Sequence, residues 1–216
     1  MFIDVFGPTG SGKSELLRTL QVYSGVEVID KPRVRGFPLA IVTTAWQWLS
    51  LTSRHRVGKG AGRLFSKMVS VNVGIAFQWE KLREGRTCVV VDECPLHVMA
   101  SFRSATEKEL EAWREFVNDV MFDFLSIEVP RVVVAVQCAN QVRAVRLRER
   151  DGRDGNSTIV GLESLENEVV ASVNASQRPH IALVEVDNSE DGPLDAACER
   201  IMNAVREVRG KVYQST

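Results

Sequence analysis

"FIDVFGPTGSGKSELLRTL", residues 2 to 20, is the stretch on which the fold turns. FIDVF is a short apolar run of strand type, and Leu16, Leu17 and Leu20 mark one face of a helix. Between them, "GPTGSGKS" at 7 to 14 fits G-x-x-x-x-G-K-S. A strand running through a glycine loop into a helix is the setting that this spacing needs to hold phosphate. Gly7, Gly10 and Gly12 let the backbone turn its N–H groups inward, and the helix N-terminus adds a partial positive charge. Lys13 can then reach the β- and γ-phosphates of a nucleotide, and Ser14 can ligate Mg²⁺. Ser11 and Glu15 complete the expected nucleotide-contacting set, with ATP and Mg²⁺ as the expected cofactors. The alternative, a glycine-rich turn with a chance lysine, is disfavoured by the strand and helix on either side.

Four more segments of strand type follow: "VEVID" at 26 to 30, "TCVVVD" at 87 to 92, "RVVVAVQ" at 131 to 137 and "IALVEV" at 181 to 186. Most are continuous apolar runs, as in strands buried on both faces. Helical periodicity fills the gaps. Leu64, Met68, Ile75, Trp79 and Leu82 share one face, and Leu110, Trp113, Val117, Val120, Met121 and Phe124 another. Ser104 with Glu107 has capping-box spacing ahead of the latter. Val142 with Val145, the stripe Leu162, Leu165, Val169, Val173, and the set Leu194, Ile201, Val205 mark three further helices. Alternating strands and helices predict an α/β fold: a doubly wound, five-stranded, mostly parallel sheet with ligands at the carboxyl ends of its strands. At 216 residues one domain, 1–216, is expected. Residues 52 to 63 and 148 to 158 read as loops.

Composition narrows the function classes. The 27 Lys plus Arg nearly cancel the 28 Asp plus Glu, so a wholly basic nucleic-acid footprint is excluded. Cys88, Cys94, Cys138 and Cys198 are scattered, without metal-ligand spacing, as in a reduced intracellular chain. No signal-peptide pattern precedes the first strand, and no apolar run approaches the ~20 residues that span a bilayer. A soluble, cytoplasmic protein without membrane contact is expected.

The third strand ends in "VVVDECPLH", two adjacent carboxylates followed by a cysteine and a proline. In P-loop proteins a buried strand ending in Asp holds Mg²⁺ opposite the loop Ser or Thr, so Asp92 pairs with Ser14 as the expected metal-side ligand. Glu93 has two readings: a group that orients or deprotonates the attacking atom, or the cap of the next helix. Cys94 carries no mark of a nucleophile, and His97 reads as a cap or surface residue.

The chain resembles the deoxynucleoside kinase and thymidylate kinase branch of the P-loop kinases. The resemblance rests on "GPTGSGKS", on "EAWREFVNDVMFDFLSIEVPRVVVAVQC", and on "RAVRLRERDGRDGNSTIVGLESLENEV", which is similar to the arginine-rich lid and the I-x-L-E-x-L helix of that branch. It implies an acceptor-side insertion at about 31–84 and a lid at about 143–158. It also implies that Arg143 lies on the ATP side, with Arg146, Arg148 and Arg150 clamping the transferred phosphoryl group, whose spread charge suits guanidinium. "VEVDNSEDGPLD" falls where the branch folds a loop over adenine, and a homodimer is implied. The departures are specific. The Glu-Pro after the second strand is replaced by "VIDKPRVRGF", leaving Asp30 for the base role. The arginine after the third strand is replaced by Glu93. A base-reading Phe-Gln is not evident at the expected distance, and Asn72 is the candidate amide in its place, a buried and satisfied Asn being the alternative.

The acceptor stays open between two chemistries. A hydroxyl acceptor needs a base, for which Asp30 and Glu93 are candidates. A phosphate acceptor needs cations, for which Arg33 and Arg35 are candidates, with Arg54, Arg56, Lys59 and Arg63. The expectation is an ATP-dependent kinase acting on a nucleoside or nucleoside monophosphate, the deoxy form favoured. One alternative is a P-loop kinase acting on a hydroxyl of a modified base in DNA or RNA held by the basic loop at 54–63. Another is a P-loop hydrolase or switch using Asp92 and Glu93. Trp46 and Trp48 flank Gln47 in "AWQWL" and read as core or wall in preference to a stacking platform for a base; Trp113 and Phe124 read as core.

Overall fold

The computed structural model describes residues 1–24, 26–29, 36–85, 88–91, 94–104, 106–151, 163–190 and 194–214. Five strands form one parallel sheet: β1 Phe2–Phe6, β2 Glu27–Ile29, β3 Val89–Val91, β4 Arg131–Gln137 and β5 Ile181–Asp187, in the order β2-β3-β1-β4-β5. Eight helices flank it among the described residues: α1 Lys13–Ser24, α2 Pro38–His55, α3 Ala61–Arg83, α4 Pro95–Ala100, α5 Glu107–Ser126, α6 Asn140–Asp151, α7 Glu163–Ser176 and α8 Asp195–Gln214. The doubly wound α/β sheet expected from the alternating pattern is present. The order reverses at β1, which pairs β3 on one side and β4 on the other.

Side-chain alternation along β1 assigns the layers. Ile3 and Val5 face the cluster that includes α1 and α8, with Leu16, Leu20, Cys198 and Ile201. Phe2 and Phe6 face the thicker cluster of α3, α4, α5 and α7, with Leu64, Met68, Trp113 and Phe116. Asp4 interrupts that second face. Its carboxylate is fully buried and pairs with Arg131 at the start of β4. Gln78 of α3 donates to Asp4 Oδ1 at 2.6 Å and accepts from Arg131 at 3.0 Å. The guanidinium also lies 3.9 Å from the ring centroid of Phe124. Every charge in this group is matched, so removing one partner should cost about 3–5 kcal/mol by stranding the other.

Three details differ from the sequence expectations. Residues 52–63 are not one loop: α2 runs to His55, α3 starts at Ala61, and Arg56–Gly60 connect them, with Arg56 in the left-handed region at φ 50° as the helix cap. The cap of α5 is Thr106, whose side chain accepts from Glu109 N, because Thr106 with Glu109 offers the same box spacing two residues beyond Ser104. The start of the expected lid is helical, since α6 extends to Asp151; its remainder lies outside the described residues. Two shorter adjustments concern the sheet, where β2 and β3 have three residues each. None of the described helices is long and apolar enough to cross a membrane.

Candidate active site

The glycine loop leaves β1 at the point where the strand order reverses, the place at which an open parallel sheet presents its crevice. Two of its glycines are dictated by close approach. Gly7 adopts φ 150°, and a Cβ there would lie 2.2 Å from the carbonyl oxygen of Val136 in β4. Gly12 adopts φ 86°, and a Cβ there would lie 2.1 Å from Asn188 Nδ2. Only glycine lets the loop thread between β4 and the segment after β5. Lys13 opens α1, and its ammonium donates to the carbonyls of Gly7 and Pro8, both at 2.8 Å. The lysine therefore spans the loop that it follows. Ser14 and Glu15 are exposed on the first turn of α1. Ser11 is buried, and its Oγ has no hydrogen-bond partner among the described residues. Inward backbone, the α1 N-terminus, a lysine already over the loop and an unmatched buried hydroxyl together fit a bound phosphate group.

Helix α6 and the end of β5 hold this loop from outside. Arg143 is 1% exposed, and its Nε donates to the carbonyl of Thr9 at 3.3 Å while Nη1 donates to Asn140 Oδ1 at 3.0 Å. Arg146 donates to the carbonyl of Asn188 at 3.0 Å, and Asn188 Nδ2 donates to the carbonyl of Ser11 at 2.8 Å. Asn188 N in turn bonds the Gln137 carbonyl at the end of β4. A continuous polar chain thus runs from α6 through the β5 end into the loop. Asn188 was not singled out from the sequence. The signal available was its position directly after an apolar strand, where parallel sheets present polar side chains to ligands. Beside the loop, Phe6, Gly7, Gln137, Arg143, Glu166 and Asn167 line a cavity of about 210 Å³.

The other expected site residues divide in two. Asp30, Arg33, Arg35, Asp92 and Glu93 lie outside the described residues, as does the side chain of Arg150. β3 ends at Val91 opposite Asp4 of β1, so the Asp92–Glu93 pair follows in sequence from the strand end beside the loop. Arg148 is exposed on α6. Asn72 sits between α2 and α3, and its amide donates to Thr44 Oγ1 at 2.8 Å and Gln47 Oε1 at 2.9 Å. Phe77-Gln78 does supply a Phe-Gln pair upstream of β3, but Gln78 is committed to Asp4 and Arg131 inside the core. Cys94 is buried, and its thiol donates weakly to the Val5 carbonyl at 3.5 Å. Burial, reinforced by Asp4, pushes that thiol well above its ordinary pKa, which agrees with an inert cysteine. In the basic segment, Arg54 pairs with Glu115, and Arg63 approaches Glu109 at 3.5 Å.

No family model matches the chain, and no curated protein matches it by sequence. Solved structures do. The chain is similar to the deoxyadenosine kinase from M. mycoides with bound dATP, at TM-score 0.52 and 17% identity over 95% of this chain and 100% of that one. It is similar also to the YorR protein from Bacillus subtilis in complex with phosphorylated GDP, at TM-score 0.52 and 15% identity over 95% of this chain and 96% of that one. The likeness is one of fold. The chain has the α/β fold of P-loop kinases of the deoxynucleoside kinase type.

Proposed function

We propose that this protein is an ATP-dependent kinase that transfers the γ-phosphoryl group to a nucleoside or nucleoside monophosphate, the deoxy form favoured. The observation that carries the reading is the loop at 7–14 with Lys13 across it, joined by Arg143 and Arg146 to an arginine-bearing helix. A site that only hydrolysed nucleotide would not need this concentration of guanidinium next to the loop. The two solved structures named above are of proteins bound to nucleotides and, for the first, a deoxynucleoside kinase, which supports the same substrate class.

In this reading Gly7 to Ser14 hold the phosphates of ATP, and Lys13 exchanges the carbonyls of Gly7 and Pro8 for the β- and γ-phosphate oxygens. Ser14 and Asp92 would hold Mg²⁺, which neutralises charge between those phosphates. Asp30 or Glu93 takes the proton from an acceptor hydroxyl as its oxygen bonds the γ-phosphorus and the bond to the bridging oxygen breaks, leaving ADP. For a monophosphate acceptor, Arg33 and Arg35 hold its phosphate and no base is needed. Arg148 and Arg150 close on the phosphoryl group in flight, while Arg143 and Arg146 keep the loop in position. Asn72 faces the base from the helical wall. The nucleic-acid reading is weaker, since Arg54 and Arg63 of the basic segment already have carboxylate neighbours.

The test is a panel in which γ-labelled ATP and Mg²⁺ are offered with each standard nucleoside and monophosphate in turn. Label should move to one or a few acceptors, with little loss of ATP in their absence. A panel without any labelled acceptor would sink the proposal, and rapid ATP loss with no acceptor would favour a hydrolase.

A further inference from the structure

In a trans peptide the carbonyl of one residue and the N–H of the next point opposite ways, so whatever holds the carbonyl also aims the N–H. Within the glycine loop, three such planes are set by the loop itself and by α1. The Pro8 carbonyl accepts from Ser11 N at 3.2 Å and from Lys13 Nζ at 2.8 Å, which fixes the Pro8–Thr9 and Gly10–Ser11 planes. The Gly12 carbonyl accepts from Glu15 N at 3.1 Å and Leu16 N at 3.0 Å, which fixes the Gly12–Lys13 plane. The two planes left, Thr9–Gly10 and Ser11–Gly12, have no backbone bond of this kind among the described residues. Both are held from other elements. Arg143 of α6, 1% exposed, donates through Nε to the Thr9 carbonyl at 3.3 Å, and Asn188 after β5, 6% exposed, donates through Nδ2 to the Ser11 carbonyl at 2.8 Å. Each holder also lies against the glycine that follows the carbonyl it grips. A Cβ on Gly10 would stand 3.4 Å from the Arg143 carbonyl oxygen, and one on Gly12 would stand 2.1 Å from Asn188 Nδ2.

We propose that Arg143 and Asn188 are positioning residues for the phosphates of the bound nucleotide: Arg143, through the Thr9 carbonyl, aims the Gly10 N–H, and Asn188, through the Ser11 carbonyl, aims the Gly12 N–H. Both act at one remove, by turning a peptide plane. Gly10 and Gly12 have positive φ, 85° and 86°, on either side of Ser11, which does not. Such alternation of hand makes N–H groups converge on an anion. The holders are anchored in turn, Arg143 to Asn140 Oδ1 at 3.0 Å and Asn188 to the Gln137 carbonyl at 2.9 Å, so the two donors are set before a nucleotide arrives. An N–H bond to phosphate is roughly twice as strong as the neutral bond that aims it, so a lost holder is felt mainly in nucleotide binding.

The inference rests on the phosphate-loop reading above, and heteronuclear NMR of the full chain with isotope-labelled glycine separates the two. Adding Mg-ADP to the wild type should move the Gly10 and Gly12 amide protons downfield, as each N–H engages phosphate. Asn188→Ala should shrink the Gly12 response and spare that of Gly10. Arg143→Met, which keeps the stem and loses the donors, should do the reverse. Nucleotide affinity by calorimetry should fall about tenfold in each, because the bond misaimed is one to a charged group. Asn188→Leu keeps the volume without the donor and should repeat the alanine result, so the pairing stays testable where a cavity unfolds the chain. A general loosening of the loop would alter both glycines together. Equal change at both glycines in every variant, or no change in any, overturns the proposal while the wild-type response upholds the phosphate loop. Wild-type glycines that ignore Mg-ADP would overturn the phosphate loop and this proposal with it.

Discussion

The glycine-loop corner and the α2–α3 hairpin are built on opposite logic. At the corner nearly every contact is polar and reaches backbone: Lys13 to Gly7 and Pro8, Arg143 to Thr9, Asn188 to Ser11. Glycines bring the chain within bonding range. In the hairpin contact is mainly apolar, Trp48 against Phe65 at 5.5 Å between ring centroids, with polar bridges from Asn72 to Thr44 and Gln47 and from Trp48 Nε1 to the Ala61 carbonyl. The corner fixes the positions of atoms, whereas the hairpin provides a wall. Substitutions should accordingly separate turnover from stability in the first region and affect mainly stability in the second.

The largest effect should come from Lys13→Ala, which removes the cation that spans the loop and that the proposed function sets against the γ-phosphate. Turnover should fall on the order of a thousandfold or more with an almost unchanged melting temperature; full activity would remove the phosphate-loop assignment. Next is Gly12→Ala. At φ 86° with Asn188 Nδ2 in the way, it should cost about 1–3 kcal/mol locally and lower turnover by about tenfold or more. Steady-state kinetics alongside a denaturant titration reads both, and an unaffected variant would mean that the loop tolerates a side chain there. In the hairpin, Asn72→Ala should cost about 1 kcal/mol in the same titration. A selective rise in KM for one base, without that loss, would turn the bridge into a reader. The smallest effect belongs to Arg54→Ala, an exposed ion pair with Glu115 worth less than about 1 kcal/mol. A marked loss of salt-sensitive DNA retention in this variant would revive the nucleic-acid acceptor.

The same division explains what the sequence disclosed. The strand–loop–helix corner is local, its constraints contained within residues 2 to 20, and the alternation of apolar runs gave the parallel sheet. The lashings onto that corner come from residues 143 to 188, and nothing in a linear reading joins Asn188 to Ser11. Arg143 and Arg146 were expected to touch ATP and phosphoryl group, because an arginine row suits anions; among the described contacts Arg143 reaches the loop carbonyl of Thr9 and Arg146 the carbonyl of Asn188 after β5. Phe77-Gln78 was passed over for its spacing, and Gln78 proves to be core because Asp4 and Arg131 need it there. Trp46 and Trp48 were read as a pair, but residues two apart on a helix face different ways, so one packs inward and the other points out. The cap of α5 shows the limit of local rules, since Ser104 and Thr106 both satisfy the box and the fold selects one.

Asp4 sits two residues before the strand end from which the loop emerges, and its partner Arg131 opens the neighbouring strand. In a strand such as "RVVVAVQ", apolar and buried on both faces, one valine can stand in for the next, so apolar contact alone marks the register weakly. A single matched charge abolishes that freedom. A slip of β1 against β4 by one residue would turn the carboxylate to the opposite, wholly apolar layer and leave the guanidinium behind. The pair therefore works as a vernier mark between the two strands, and what it indexes is the height at which Gly7 meets Val136, the first coordinate of the proposed phosphate site.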